Sequence, residues 1–333
     1  MTAPLRLALA SWAGAAGDEE SVRKAIDAWA SSATLGQLVL ACDGRATALR
    51  GAALMEWLDM FSGEHWDFRG GAERNLAQEV TLSRELERLV FESAPELGLA
   101  GPYPLRKRKY DTILMTGGMV RAGIVKPRFA REVLNAGVGI STVVFLGGFR
   151  PFVGDEIELA PLLGVRGDNE FDAMVSGMEL AFGPLGDPAV SGAETGRGSE
   201  SWRVWSWDVL GVTLKVVAAP SSDPSTRRAN TADTYRYWAS SVREASETSV
   251  LVVTTPIYVP YQGAGAVEIL GLEHGLAVET VGTSDASGDL GEFSQRFLAQ
   301  NHLQELRAAI GAMRKLRLRL TAILNDEAEE RGE

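Results

Sequence analysis

The sequence predicts an α/β fold: a mainly parallel, doubly wound sheet with a helical N-terminal elaboration and a long C-terminal helix. Three observations predict it. Short runs rich in Val, Ile and Leu recur with little apolar–polar alternation, as strands covered on both faces do. Amphipathic segments separate these runs, giving the strand–helix–strand rhythm of right-handed crossovers. Two of the runs stop on paired glycines, at the strand ends where doubly wound sheets bind ligands.

Taken in order, LRLALAS (5–11) and QLVLACD (37–43) read as strands, with the helical EESVRKAIDAWAS between them. Residues 49–95 are helical by pattern, including MEWLDMF and LSRELERLVFE, where Leu82, Leu86 and Leu89 recur on one face. Further strands are expected at TILMT (112–116), STVVFLG (141–147), VTLKVVA (212–218), SVLVVTT (249–255) and LAVETVG (276–282). The helices between them are expected at 126–137, 169–182, 229–245 and 265–275. The Gly-, Pro- and Ser-rich run 183–201 reads as a lid or a disordered segment. After it, Trp205, Trp207 and Val209 alternate as on a half-exposed strand, which would pair with 212–218 across Leu210–Gly211. These tryptophans read as core or edge cover.

The last helix, roughly 293–325, carries Leu303, Leu306, Ile310, Met313 and Leu320 on one stripe. That stripe would pack on its own domain or form a homodimer seam. The tail NDEAEERGE is expected to fray. The chain thus divides into 1–104, strands and a helical layer of the same domain; 105–285, the α/β core; and 286–333, the C-terminal helix and tail.

Composition narrows the function classes. With 333 residues, 45% hydrophobic and 23% charged, the chain can bury a substantial core without disulfides or metals. A net charge of −11 argues against broad nucleic-acid binding. Cys42, the sole cysteine, excludes an intramolecular disulfide and a cysteine-built zinc site. The opening residues are too soon acidic for a secretory signal, and no apolar run is long enough to span a bilayer, so a cytoplasmic location is expected. His65, His274 and His302 are scattered rather than spaced as metal ligands, and no GxSxG elbow is present. Asp43 could face a site or a solvated turn with equal ease.

The chemistry is therefore sought at the strand ends. After TILMT come Thr116, Gly117, Gly118 and Met119, then Arg121, Lys126 and Arg128. Paired glycines at positive φ would expose N–H groups, and the next helix start would add partial positive charge. This is an anion cradle for phosphate, pyrophosphate or carboxylate. It lacks GxGxxG spacing and the Walker lysine–serine pair. A second pair, Gly147 and Gly148, is followed by Arg150. Arg227 and Arg228 stand just before a helix start, where two cations oppose the dipole unless an anion offsets them. Asn230 is a good N-cap, Asp233 can complete a capping box, and Thr231 lies between them. After SVLVV, Thr254, Thr255, Tyr258 and Tyr261 supply hydroxyls to orient a polar ligand.

These ends, in this order, resemble the YdcF/SanA-like family, a domain of unknown function with a Rossmann-like sheet. TGGMVRAG and FLGGFR match its two Gly–Gly loops, and Glu170 in DNEFDAMVSGM its helix-borne glutamate. ANTADT matches its Asn-Thr element, with Asp233 for glutamate and Thr234 for asparagine. VVTTPIYVPYQ matches its late element, with Tyr258 in the histidine place and Tyr261 in the arginine place. The resemblance covers about 105–285. It implies a pocket for a nucleotide-like or phosphorylated small molecule, with the Glu170 carboxylate as its candidate base. Tyrosines in the histidine and arginine places suit an adenosyl or nucleotide-sugar donor.

The expectation is a group-transfer enzyme using S-adenosylmethionine or a nucleotide sugar, with Glu170 and Tyr258 catalytic, 183–201 as a lid, and a small-molecule acceptor. Two alternatives are a non-catalytic binding or scaffold protein and a phosphate-ester hydrolase. No metal, nucleic acid or membrane is expected as partner.

Overall fold

The computed structural model describes residues 11–15, 17–45, 48–70, 80–195 and 198–331. In chain order its elements begin with helices α1 (Asp18–Ala30), α2 (Ala33–Ala41), α3 (Gly51–His65) and α4 (Arg84–Ser93). Then come β1 (Lys109–Thr116), α5 (Val120–Asn135), β2 (Gly139–Gly147), α6 (Glu156–Leu162), α7 (Glu170–Phe182), β3 (Ala189–Ala193), β4 (Trp202–Val209) and β5 (Val212–Ala218). They are followed by α8 (Thr231–Tyr237), β6 (Ser249–Thr254), α9 (Val259–Ala266), β7 (Ala277–Gly282), α10 (Asp285–Gly288) and α11 (Ala299–Arg331). The chain divides into two compact units. One comprises 1–102, 256–268 and 296–333, and the other 103–255 and 269–295.

The second unit holds a seven-stranded sheet in the order β3-β4-β5-β2-β1-β6-β7. β5, β2, β1, β6 and β7 are parallel, with Leu114 opposite Val144 on one side and Val252 on the other. The lack of alternation read from the sequence has its cause here. Ile113, Met115, Val143, Phe145, Leu214 and Val216 pack with Phe129, Phe171, Met174 and Met178, while Leu114, Val144, Leu146 and Val252 on the opposite pleat are equally buried. The chain winds from β1 through β2 to β5, then crosses back to β6 and β7. The switch point therefore lies between the carboxyl ends of β1 and β6.

β4 joins the sheet antiparallel to β5 through the expected hairpin, with Leu210 at φ 54° and Gly211 at φ 80°. Two positive φ values in succession suit a two-residue turn that follows the sheet's twist. Trp207 is buried in the core and Trp205 packs beside it.

Helix α5 begins six residues earlier than the sequence suggested and carries Pro127 in its interior. A proline at 127 has no N–H for the carbonyl of Gly123. That carbonyl faces Gly177 of α7 so closely that a Cβ there would lie 1.8 Å from it. Two glycines thus let α5 and α7 approach backbone to backbone.

In the first unit, α11 packs on α9, α3, α1 and α4. Its stripe of Leu303, Leu306, Ile310, Met313 and Leu320 is buried there, so this stripe is used within its own unit. The helix continues to Arg331, through the tail expected to fray.

Three expectations are corrected. QLVLACD is not a strand: 33–41 form α2, capped by Ser32, with Leu35, Leu38 and Val39 buried at helical spacing. A short aliphatic run satisfies both periods, and here the cap decides. The 183–201 run is not featureless, since Ala189–Ala193 pair antiparallel with β4 as an exposed edge strand. Backbone pairing supplies order that its small side chains could not. Gly117, Gly118, Gly147 and Gly148 do not adopt positive φ. The strand expected at 5–11 lies, save Ser11, outside the described residues.

Candidate functional site

The strand-end groups line up along the sheet's carboxyl edge. Thr254 of β6 and Thr116 of β1 meet hydroxyl to hydroxyl at 3.2 Å across the switch point. Lys126 reaches back from α5, 2% exposed. Its Nζ donates to Thr116 O at 2.5 Å, Thr116 Oγ1 at 3.0 Å and Gly117 O at 3.0 Å. With the Gly117 carbonyl held downward, peptide planarity points the Gly118 N–H the opposite way. It donates to Glu170 Oε1 at 2.7 Å. The Gly148 N–H donates to the other oxygen, Oε2, at 3.1 Å. Glu170, the first residue of α7, therefore bridges both Gly–Gly loops.

The first glycine of each pair is required by steric room for this acid. A Cβ on Gly117 would lie 2.5 Å from Glu170 Oε1 and 2.8 Å from Leu146 O. One on Gly147 would lie 2.8 Å from Met174 Cε and 3.0 Å from Glu170 Cδ. Burial pushes the Glu170 carboxyl above its ordinary range. The Arg150 charge, the two loop N–H groups and the Arg228 charge oppose that without cancelling it. The residue as a whole keeps partial exposure, so the enclosure concerns its carboxyl end.

A second carboxylate, unforeseen from the sequence, completes the cluster. Glu156 opens α6 and is wholly buried. It takes both arms of Arg150, at 2.6 and 2.8 Å. It also accepts N–H bonds from Val120, the first residue of α5, at 3.0 Å and from Val153 at 3.2 Å. Burial works against its ionised form, but Arg150 and the two N–H groups hold it below the usual carboxylate range. It stands where the α5 dipole favours an anion. Arg150 further donates to Gly118 O at 3.2 Å. An acid at a helix start just after GGFRP was the available signal.

The β5–α8 connection repeats this arrangement. Arg227 binds both oxygens of Asp233 and donates to Ser222 Oγ at 2.8 Å. Asn230 Oδ1 accepts the Asp233 N–H at 3.0 Å, and Asp233 Oδ2 accepts the Asn230 N–H at 2.9 Å, a complete capping box. Burial raises the Asp233 carboxyl, yet Arg227, Ser222 and the Asn230 N–H bring it down to about 2. The anion offsetting the paired arginines thus includes one of the chain's own. Thr231 begins α8, and Arg228 is exposed.

Other predicted residues turn elsewhere. Arg121 donates to Phe293 O at 2.7 Å and pairs with Asp155 at 3.2 Å. Arg128 donates to Asp289 O at 3.3 Å. Met119 is the extended N-cap of α5. Thr255 ends a segment of this unit, while Tyr258 and Tyr261 belong to the other, where Tyr258 meets the Phe297 ring edge-on at 6.1 Å. A surface concavity of about 560 Å³, lined by Trp202, Lys215, Tyr237 and Glu244 among others, shares no residue with the Glu170 cluster. Among the described residues no group of three or more His, Cys, Asp or Glu could hold a metal ion, and no helix is long and apolar enough to cross a membrane.

Fold and site together define an α/β protein with a five-strand parallel core and a carboxylate–arginine cluster at its carboxyl edge. Residues 13–98 match the family model described as the Rv3785 N-terminal domain. The chain is 30% identical, over 91% of its length and 91% of theirs, to the uncharacterized proteins Rv3785 of Mycobacterium tuberculosis and Mb3814 of Mycobacterium bovis. It belongs to the Rv3785 family. This corrects the YdcF/SanA-like resemblance, which rested on short strand-end motifs and left the N-terminal hundred residues unmatched. No solved structure matches the chain.

Proposed function

We propose that the chain is a small-molecule group-transfer enzyme that binds a nucleotide-type donor, S-adenosylmethionine or a nucleotide sugar, at the carboxyl edge of the sheet. Glu170 is its proton-transfer group. The observation that carries this reading is the Glu170 carboxyl, suspended between the Gly118 and Gly148 N–H groups of the loops that follow β1 and β2. Each oxygen spends one acceptor site on a loop N–H and keeps another for a substrate proton. A carboxyl raised by enclosure is also a better base than a surface one. Arg228, exposed on the neighbouring loop and felt electrostatically at Glu170, supports an anionic donor.

A second reading, a non-catalytic ligand-binding protein, draws on the same geometry. Glu170, Glu156 and Asp233 already sit where a ligand's anionic oxygens were expected. The two readings part in one experiment. Adenosyl compounds, nucleotides and nucleotide sugars are screened by thermal shift, where a ligand at 100 times its Kd adds about 2.7 kcal/mol. The stabilising compound is then incubated with wild type and with Glu170→Gln. Consumption by wild type and not by the variant supports the enzyme. A compound held intact by both supports the binding protein, and no stabilisation by any of them rejects both.

A further inference from the structure

Two successive carbonyls of the β1–α5 loop are each held by a cation. Gly117 O accepts from Lys126 at 3.0 Å and Gly118 O accepts from Arg150 at 3.2 Å. Fixing a carbonyl fixes the N–H of the same peptide in the opposite direction. The first of these contacts directs the Gly118 N–H to Glu170. Arg150 in turn is fixed by the fork of Glu156, whose carboxylate is itself fixed by two backbone N–H groups. A planar guanidinium held bidentately has one orientation, which places its second face on the loop and its charge beside Glu170.

We propose that Glu156, acting through Arg150, and Lys126 are positioning residues that set the β1–α5 loop and hold Glu170 between the two Gly–Gly turns. This deepens the reading of Glu170 as the proton-transfer group and rests on it. Under the proposal Lys126 and Arg150 serve the loop rather than the ligand. Glu156 keeps Arg150 at its station, so that Glu170 is steadied.

The charged groups facing Glu170 are Arg150 from the β2–α6 loop and Arg228 from the β5–α8 loop, with Lys126 beneath the β1–α5 loop. On its own helix, Asp172 is turned back to the Asp168 N–H and to Asn169. Removing the Arg150 charge therefore takes away the foremost influence favouring ionised Glu170, and removing Glu156 weakens the same influence by releasing Arg150 from its fork.

The test is a titration of the Glu170 carboxyl by carbon-13 NMR on the apo protein, with Glu170→Gln to assign the signal. Arg150→Met should raise the Glu170 pKa. Glu156→Gln should raise it by less than Arg150→Met does, because Arg150 loses the fork that stations it beside Glu170, and the same substitution made on Arg150→Met should produce no further change. Lys126→Gln should move it upward by less than Arg150→Met does. General loosening of the site admits water and would bring every variant down toward the ordinary carboxylate value. A downward or absent shift in Arg150→Met, or a Glu156→Gln shift that persists without Arg150, overturns the proposal. If Arg150→Met does not fold, Arg150→Lys keeps the charge but loses the fork. Glu156→Gln should then have less than half its original effect in that background, and an undiminished effect would overturn the proposal. The titration uses no ligand, so its failure is separate from a failure to find a donor.

Discussion

Gly117→Ala tests whether the Gly–Gly loops are built around Glu170. In the folded chain the new Cβ would stand 2.5 Å from Glu170 Oε1 and 2.8 Å from the backbone oxygen of Leu146. The first clash is relieved only if the carboxylate leaves, which strands the Gly118 and Gly148 N–H groups. Each bond to a charged acceptor is worth about 1.5–3 kcal/mol, and crowding against Leu146 O adds about 1 kcal/mol or more. We expect Gly117→Ala to cost about 4 kcal/mol or more. In a Glu170→Ala background the carboxylate clash is gone, so the same change should cost only about 1–2 kcal/mol. The difference, a coupling of at least about 2–3 kcal/mol, is read from urea unfolding of the four proteins followed by tryptophan fluorescence. Gly148→Ala is the control, since its Cβ would meet nothing nearer than 4.0 Å; it should cost less than about 1 kcal/mol. Additivity within about 0.5 kcal/mol would refute the reasoning, because the glycine would then be required for something other than this acid.

Three further outcomes are expected. Asp233→Asn should lose stability at neutral pH. The native carboxyl titrates at about 2 against an ordinary 3.8, so 3.8 − 2 gives an upper bound of about 2.4 kcal/mol, discounted to about 1–2 for a coupled pair. A depressed carboxyl stabilises above the unfolded value and loses that contribution as pH falls through the folded one. The wild-type advantage in urea midpoint should therefore shrink between pH 4 and about 2, and a constant gap would count against the Arg227–Asp233 pair. Gly177→Ala places a Cβ 1.8 Å from a backbone carbonyl across the α5–α7 contact; a loss of about 3 kcal/mol or more is expected by thermal melting, and an unchanged melting temperature would refute that contact. Leu210→Asn should add about 0.5–1 kcal/mol, because Leu210 is 82% exposed at φ 54°, where asparagine is the better residue; a lower melting temperature would refute this.

How far the sequence reaches differs between fold and site, for a physical reason in each case. β5 occupies the expected 212–218, and β1, β2, β6 and β7 fall within a few residues of expectation. Burial on both pleats writes an unbroken apolar run into each of them. The hairpin at Leu210–Gly211 was legible because a turn between a half-buried strand and a buried one needs only two residues. Helix α2 and the early start of α5 were not legible. One turns on a serine cap before an ambiguous run, the other on a proline whose lost bond is accommodated by a glycine fifty residues away.

The same distance problem governs the site. Paired glycines ahead of a helix mark a place where negative charge comes close, and that much was readable. Whether the charge arrives in solution or along the chain depends on where a carboxylate more than thirty residues downstream is folded. Glu156 reaches Val120 and Glu170 reaches Gly118 only after β2 is laid beside β1. A cradle filled by its own acids constrains function more tightly than an empty one. Any guest must either share Glu170 through the acceptor sites it retains or displace it from two N–H bonds. The first route makes Glu170→Gln a loss of chemistry with little change in anion affinity. The second makes it a gain in affinity, since the competing charge is gone. If the chain binds the donor proposed above, its affinity measured in that variant tells whether Glu170 meets that donor as a partner or as a rival.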